Sequence, residues 1–410
     1  MHDYPVIIFS ALLVFVFGLF SKLAEKSPVT GPMFFVIVGI LTGPLGLGWL
    51  DISVNGEIVR VMSEITLVLI LFIDASTIDL PALVKTKGLP FRLLAIGLPL
   101  TMILGILSAW LLFPSISIWL LAMMALILSP TDAALGQAVV KSEFVPERIR
   151  QAINVESGLN DGIALPPILL CVAVMTEDVS RQIGSGYWGH FVLSQLVYGP
   201  LVGALVGFLG GWVVDRAARV GWMNDTFQRL ASVALAMLAY AGAEEIHGNG
   251  FIAAYFAGLL LGVRSHAVRE RLQEFGEAEG QQLSLFIFLL FGLVLVPKAL
   301  PYWDTTAWIY AGLSLTMIRM LPVAVGLIGA GLDRASVGFI GWFGPRGIAS
   351  ILYLIVVVNT MGSKGMEYVL SVIVLTVMLS VFAHGVSALP LSRAYGRYVN
   401  AGVRVDDKIS

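Results

Sequence analysis

Long apolar runs alternate with short polar segments along almost the whole of this 410-residue chain. A membrane-spanning helix needs about 20 mostly apolar residues, and thirteen segments approach that length. The pattern predicts spans at about 5–21, 31–50, 57–75, 90–113, 116–138, 149–175, 188–214, 227–244, 249–263, 281–297, 305–330, 337–358 and 367–391. We therefore expect an all-α polytopic membrane protein with about 13 transmembrane helices, forming one transmembrane domain over residues 1–410.

Composition agrees with this reading and excludes other classes of protein. The chain is 58% hydrophobic and 13% charged, whereas soluble domains carry about 25% charged residues. Cys171 is the single cysteine, so neither an intramolecular disulfide nor a cysteine metal site is possible. A nucleic-acid partner is not expected.

The basic residues are distributed asymmetrically between the predicted loops. If the N-terminus lies outside, most of the 25 lysine and arginine residues fall on the inner side, and Arg319 and Arg346 fall inside spans. Cytoplasmic loops carry the excess of positive charge. We therefore expect an integral protein of the bacterial inner (plasma) membrane, with the N-terminus outside and the C-terminus in the cytoplasm.

Thirteen spans also permit an inverted repeat, in which spans 1–6 mirror spans 8–13. Spans 5 and 12 correspond under this rule, and each contains a mid-span proline, Pro130 or Pro345, followed closely by a charge, Asp132 or Arg346. A proline removes one backbone N–H and interrupts the helix. The sequence thus predicts inverted six-helix repeats with a pair of broken, crossing helices.

The segment NVESGLNDGIALPP (154–167) places polar residues inside the sixth span. Residues four apart share a helix face, so Glu156 and Asn160 form one stripe, and Ser157 and Asp161 form the next. A charge within the bilayer is costly and is by default a sign of function. The span therefore carries a candidate functional face.

Thr131 and Asp132 of span 5 add further oxygen atoms to this face. Carboxylate, hydroxyl, amide and backbone carbonyl groups are hard ligands, which suit alkali cations by extension from their use for divalent ions. Burial disfavours the charged form of a carboxylate. One aspartate can then hold either a proton or a cation, and this competition is sufficient for exchange. No HExxH motif or Cys/His cluster suggests zinc.

The sequence SPTDAALGQAVV (129–140), followed by VPERIRQAINVESGLNDGIALP (145–166), resembles the monovalent cation:proton antiporter family, in its NhaP and sodium/proton exchanger branch. The resemblance covers essentially the whole chain. It implies an NhaA/NhaP-like fold with a core domain, about 57–175 and 281–391, and a dimerisation domain, about 1–50 and 188–263. It also implies a homodimer and alternating access.

The resemblance further implies a role for each intramembrane polar residue. Asp161 would bind the cation and the proton, Asp132, Thr131 and Ser157 would complete a Na⁺ site, and Asn160 would support it. Glu156 would pair with Arg319, and Arg346 would place a charge at the helix crossing. Asn160, where electrogenic relatives have aspartate, implies electroneutral exchange. The loop reads GPRG (344–347) where the pattern more often has GLRG.

The expected function is therefore a secondary active antiporter, not an enzyme, that exchanges Na⁺ for H⁺ and supports pH homeostasis. Li⁺ and K⁺ are alternative cations, no cofactor is expected, and membrane lipids are expected partners. The main alternative is a proton-coupled carrier of a small organic anion that uses Arg319 and Arg346, although acids outnumber bases in the spans. A channel is disfavoured by the repeat, and an intramembrane hydrolase by missing motifs.

Three further titratable residues have weaker assignments. His384 in span 13 could sense pH, but a core histidine with satisfied hydrogen bonds is the favoured interpretation. Asp74 and Asp79, near the end of span 3, are interpreted as helix caps, with an acidic funnel as the alternative.

Overall fold

Every regular element in the described part of the computed structural model is a helix. The structure describes residues 4–24, 27, 29–50, 57–78, 88–176, 197–261 and 266–406. The helices are α1 (Tyr4–Ala24), α2 (Gly31–Thr42), α3 (Glu57–Ser76), α4 (Leu89–Leu112), α5 (Ile118–Ile127), α6 (Ala133–Val140), α7 (Glu147–Met175), α8 (Gly199–Arg219), α9 (Asp225–Glu245), α10 (Gly250–Leu261), α11 (His266–Leu290, continued by helical turns at Phe291–Leu295, Val296–Ala299 and Leu300–Tyr302), α12 (Thr305–Leu315), α13 (Met317–Gly326), α14 (Arg334–Trp342), α15 (Ile348–Met361) and α16 (Glu367–Asp406).

Each of the thirteen predicted spans has a helical counterpart in the described part of the chain. Among the described residues, six helical segments are long and apolar enough to cross a membrane by length and composition, and five shorter helical segments are apolar. The expectation of an all-α polytopic membrane protein is confirmed.

The helix ends differ from the prediction in several places. The helix predicted at 31–50 ends at Thr42, before a turn beginning at Gly43. The segment predicted at 281–297 belongs to a helix that starts at His266, because polar residues extend it beyond the apolar run. The segment 305–330 contains two helices that meet at Thr316, one turn before Arg319. Part of the segment 188–214 lies outside the described residues.

Two spans are interrupted in the middle, as the paired prolines predict. The first is divided into α5 and α6 by residues 128–132, and the second into α14 and α15 by residues 343–347. A backbone without helical hydrogen bonds is tolerated at membrane depth only where other protein groups satisfy it. Both interruptions are buried, so their polar groups must find partners inside the protein.

Glycine residues on α8 allow it to pack against the backbone of α10. Gly199, Gly203, Gly207 and Gly211 recur every four residues, and a β-carbon on each would meet the carbonyl oxygens of Asn249, Ala253, Ala257 and Leu261, respectively. Small residues allow membrane helices to approach closely and to gain van der Waals contacts. Two further glycines make similar approaches: Gly258 of α10 meets Phe72 of α3, and Gly39 of α2 meets Leu289 of α11.

The packing of the helices divides α2–α16 into two groups. One group, which we call the scaffold, consists of α2, α3 and α8–α11. The second, called the crossing group, consists of α4–α7 and α12–α16 and contains both broken helices. The groups meet where α3 packs against α7 and α15 and where α11 packs against α15, and the site described below lies at this boundary.

We predict that Gly207→Ala will destabilise the protein by about 1–3 kcal/mol, the usual cost of overpacking. The added methyl would overlap the carbonyl oxygen of Ala257, which belongs to the backbone and cannot rotate away. Thermal and denaturant unfolding in detergent would measure the change. Gly242→Ala on α9 is the matched control, because its methyl would make an ordinary contact, 3.5 Å from Val202 Cγ1. Equal stability of the two variants would contradict the packing argument.

Candidate functional site

The two interrupted helices cross and satisfy part of each other's backbone. The backbone N–H of Asp132 donates to the carbonyl of Pro345 at 2.8 Å. The hydroxyl of Ser350, on α15, donates to the carbonyl of Ile127, at the end of α5, at 2.7 Å. The breaks at Pro130 and Pro345 are therefore adjacent in space, and each replaces some of the helical hydrogen bonds that the other lacks.

Asp132 serves the N-termini of both half-helices at this crossing. Its Oδ1 accepts from the backbone N–H groups of Ala134 at 2.7 Å and Leu135 at 3.4 Å, and so caps α6. Its Oδ2 accepts from the N–H of Ile348, the first residue of α15, at 2.7 Å. Negative charge is favourable at helix N-termini. Gly347 makes this possible, because a β-carbon there would overlap Oδ2 of Asp132.

Arg346 serves the opposite end of α5. Its guanidinium group, fully buried, donates through one nitrogen to the carbonyls of Ser129 and of Pro130, the latter at 3.1 Å. Positive charge is favourable where helix carbonyls are left without partners. The side chain of Arg346 therefore lies where it offsets the carbonyl end of a half-helix.

The carbonyl end of α14 is held by His384 of α16. His384 Nε2 lies 2.9 Å from the carbonyl oxygen of Trp342, and Nδ1 lies 3.1 Å from the hydroxyl of Ser380. That hydroxyl accepts from the backbone N–H of Arg346 at 2.6 Å. A neutral ring protonated at Nε2 fits this chain of bonds, since Nδ1 then accepts from Ser380. His384 is thus a buried histidine with both nitrogens bonded, in agreement with the favoured interpretation.

The polar face of α7 meets the first break. The hydroxyls of Thr131 and Ser157 lie 2.9 Å apart, and Nδ2 of Asn160 donates to Thr131 Oγ1 at 2.7 Å. Asn160 Oδ1 is buried without a partner among the described residues. The structure therefore brings together the hydroxyls and the amide that the sequence pattern singled out.

Asp161 lies next to this cluster and keeps a free carboxylate oxygen. Its residue is 5% exposed, and no described residue bonds its Oδ1. The hydroxyl of Tyr353 donates to the backbone carbonyl of Asp161 at 2.8 Å. No sequence pattern pointed to Tyr353, which lies in an apolar run and carries no motif. A buried carboxylate without a partner is costly, so Asp161 needs a proton or a cation.

Glu156 and Arg319 form a bidentate pair between α7 and α13. The guanidinium nitrogens lie 2.6 and 2.8 Å from the two carboxylate oxygens, and both residues are about 1% exposed. Gly344 provides the space for this guanidinium group, because a β-carbon there would overlap its Nε. The charges of Glu156 and Arg319 offset each other, so neither adds net charge near Asp161.

A cavity of about 340 Å³ reaches this site from one end of the protein. Asp132 and Asp161 line its crossing-group wall, and Asp74 lines the wall formed by α3 and α11. Its mouth lies beside Lys141 and Gln281, both exposed. Asp74 lies within α3 and does not cap the start of that helix; it lines the cavity, where the funnel alternative would place it. Asp79 lies outside the described residues.

In the described residues of this arrangement, the atoms available to bind a cation are oxygens, with no nitrogen or sulfur ligand among them. Carboxylates of Asp161 and Asp132 line the cavity, and the hydroxyls of Thr131 and Ser157 lie beside them. Such donors suit hard cations. Among the described residues, no group of three His, Cys, Asp or Glu side chains is placed to hold one metal ion. The site therefore fits a weakly held monovalent cation better than a tightly chelated metal.

Comparison with known proteins is consistent with this geometry. Residues 9–394 match the family model described as "Sodium/hydrogen exchanger, transmembrane". The chain is 28% identical over 322 residues to the K(+)/H(+) antiporter NhaP of Alkalimonas amylolytica, covering 78% of this chain and 54% of that protein. It is 25% identical over 392 residues to the K(+)/H(+) antiporter NhaP2 of Shewanella oneidensis, covering 93% and 66%. The chain thus spans about half to two thirds of the length of these relatives.

A solved structure shares the fold. The sodium proton antiporter MjNhaP1 of Methanocaldococcus jannaschii matches with a TM-score of 0.79 at 18% identity, over 97% of this chain and 99% of the other. This likeness shows the fold, and the family match extends over most of the sequence. The chain therefore belongs to the transmembrane sodium/hydrogen exchanger family.

Proposed function

We propose that this protein is a secondary active antiporter, not an enzyme, that exchanges a monovalent cation for H⁺ across the membrane. The observation that carries the proposal is Asp161, whose buried Oδ1 has no partner among the described residues while the carboxylate lines a cavity. A group in this position is stabilised either by a proton or by a cation. The two ligands then compete for one site.

The neighbouring residues would complete the binding of the cation. In Asp132, Oδ2 accepts one backbone N–H and retains a second lone pair. The hydroxyl oxygens of Thr131 and Ser157, already bonded to each other, can turn a lone pair towards a cation. Asn160 holds Thr131 in place. We propose that these groups bind Na⁺ with Asp161, while Glu156, Arg319 and Arg346 stabilise the surrounding helices.

We further propose that exchange proceeds by alternating access and that a homodimer forms. The sequence-based division assigns about 57–175 and 281–391 to a mobile core and about 1–50 and 188–263 to a dimerisation domain. The close backbone contacts of α3 with α10 and of α11 with α2 favour a smaller mobile unit. We therefore propose that the crossing group moves and that α3 and α11 remain with the scaffold.

Proton flux measured with Na⁺, K⁺ and Li⁺ in turn would identify the cation. The relatives from Alkalimonas and Shewanella are named as K(+)/H(+) antiporters, and one from Zygosaccharomyces rouxii, 26% identical over 361 residues, is named as a Na(+)/H(+) antiporter. These names support exchange of a monovalent cation for a proton. We propose a role in pH homeostasis in the bacterial inner membrane, with Lys141 and the cavity mouth on the cytoplasmic side and lipids around the helices.

A carrier of an organic anion fits the geometry less well. Such a carrier needs cationic groups that face the substrate, yet Arg319 is paired with Glu156 and Arg346 donates to backbone carbonyls. Among the described residues, the charged groups that line the cavity are three aspartates and Lys141. An anion would therefore meet net negative charge.

We predict that Asp161→Asn will abolish proton flux driven by a cation gradient, because an amide cannot exchange a proton for a cation. The measurement is dye-reported pH change in proteoliposomes after addition of Na⁺, K⁺ or Li⁺. Unfolding in detergent serves as the control that the variant is folded. If Na⁺, K⁺ and Li⁺ all failed to drive proton flux in the wild type, the proposal would be contradicted. Full flux in the variant would also contradict it.

We predict that the exchange will be electroneutral. The resemblance places Asn160 where electrogenic relatives have an aspartate, and an amide cannot carry that second charge. Na⁺-driven flux should then be unchanged when valinomycin, with equal K⁺ on both sides, clamps the membrane potential at zero. A rate that depends on the clamped potential would show that a second charge moves with each cycle.

We predict that Glu156→Leu or Arg319→Met alone will cost about 3–5 kcal/mol, because each leaves one buried charge without its partner. The double variant should regain most of this stability, since both charges are then absent. Denaturant unfolding of the four proteins gives the coupling energy. A stable double variant without flux would mean that the pair takes part in transport and is not only structural.

A further inference from the structure

Two side chains of α16 hold the backbone on both sides of the second helix break. Nε2 of His384 lies 2.9 Å from the carbonyl oxygen of Trp342, the last residue of α14. Oγ of Ser380 accepts the backbone N–H of Arg346, just before α15 begins, at 2.6 Å. His384 and Ser380 lie one turn apart and are 1% and 0% exposed. One buried face of α16 therefore spans the interruption at residues 343–347.

His384 also determines which way the hydroxyl of Ser380 points. Nδ1 of His384 lies 3.1 Å from that hydroxyl oxygen and accepts its proton when the neutral ring is protonated at Nε2. Nδ1 lies 3.0 Å from the Ser380 carbonyl as well. A ring that donated to this carbonyl would either turn a bare Nε2 towards the Trp342 carbonyl or carry a buried charge, and both are costly. With Nε2 protonated, a lone pair of Ser380 is directed to Arg346.

The backbone held in this way is the same backbone that holds Asp132. The carbonyl of Pro345 accepts the N–H of Asp132 at 2.8 Å, and the N–H of Ile348 donates to Asp132 Oδ2 at 2.7 Å. Arg346 lies between these two contacts in the chain, so a shift of its backbone displaces both. Asp132 lines the cavity, whereas neither of the two α16 side chains is among the described residues that do so. Their effect on the site must therefore pass through Asp132.

Ser380 differs from other buried hydroxyls of the same helix. The hydroxyls of Ser371 and Thr376 donate to backbone carbonyls of α16 itself, those of Tyr368 at 2.6 Å and Val372 at 2.8 Å. Serine and threonine within helices often bond in this way. The oxygen of Ser380 instead accepts a backbone N–H from a different part of the chain, so its bond connects α16 to the break.

We propose that Ser380 and His384 are positioning residues for the cation site, which fix the backbone across the break so that Oδ2 of Asp132 stays where it meets the cation. The proposal rests on the proposed exchange of a cation at Asp161. Groups that orient a ligand without touching the ion typically change its binding about tenfold or more when they are removed. We therefore assign to this pair control of the affinity for the cation.

The test measures the KM for Na⁺ and for K⁺ from proton flux in proteoliposomes, and the melting temperature of each variant in detergent. We expect Ser380→Ala and His384→Leu to raise KM about tenfold, with a much smaller change in kcat. Ser371→Ala is the matched control, because it removes a buried hydroxyl of the same helix that donates to Tyr368 on that helix. Its KM should equal that of the wild type. A lower melting temperature with an unchanged KM in Ser380→Ala and His384→Leu would overturn the inference, because the pair would then only stabilise the fold.

Two milder variants separate the two bonds of His384. A glutamine amide can place its nitrogen near the position of Nε2 and keep the bond to Trp342, whereas an asparagine oxygen can take the position of Nδ1 and keep the bond to Ser380. We expect His384→Gln and His384→Asn each to show a smaller rise in KM than His384→Leu. If both showed the full rise, hydrogen bonding would not be what positions the break, and the inference would be overturned.

A binding measurement tests the same proposal without transport. NaCl should raise the melting temperature of the wild type more than choline chloride does, since an ion that binds the folded state stabilises it. The apparent Kd obtained from this difference should be about tenfold weaker in Ser380→Ala. Normal wild-type flux with an equal Kd in Ser380→Ala would overturn this inference alone. Absence of cation-driven flux in the wild type would overturn the proposed function, and the inference with it.

Discussion

The crossing of two interrupted helices is the constraint on which the rest of the site depends. Each interruption leaves backbone N–H and carbonyl groups inside the membrane, where no solvent satisfies them. Asp132 binds N–H groups at the start of both α6 and α15, while Arg346 and His384 bind carbonyls at the ends of α5 and α14. The charges of Asp132 and Arg346 are therefore required by the backbone, apart from any role in transport.

This requirement explains why Asp161 can be singled out among several buried charges. Glu156 and Arg319 offset each other, and Arg346 and Asp132 are held by helix ends. Asp161 has no such compensation among the described residues at its Oδ1. A buried charge that the fold does not neutralise must be neutralised by a ligand. The polar network thus leaves the carboxylate of Asp161 to be neutralised by whichever ligand, a proton or a cation, enters the cavity.

The sequence predicted most of this arrangement, for reasons that are physical. Long apolar runs are unambiguous, so most of the thirteen spans were located to within a few residues, and the prolines marked both breaks. Spacing on one helix placed Ser157 and Asp161 on the same polar face, and the family resemblance added Thr131 of the preceding span. The position of Asp74 on the cavity wall arises from the packing of helices that are distant in sequence, which no local pattern shows. The break at Thr316 carries neither glycine nor proline and gave no signal.

The position of the site at a boundary between helix groups connects the packing to the chemistry. Glycines fix α3 and α11 to the scaffold by backbone contact, which leaves no room for sliding within that group. The crossing group is instead tied together by hydrogen bonds among α5–α7, α13, α14 and α16. Two units that are each internally rigid can move relative to each other at lower cost than either can deform. The cavity between them, with Asp161 on one wall and Asp74 on the other, is where such a movement would alter the energy of a bound cation.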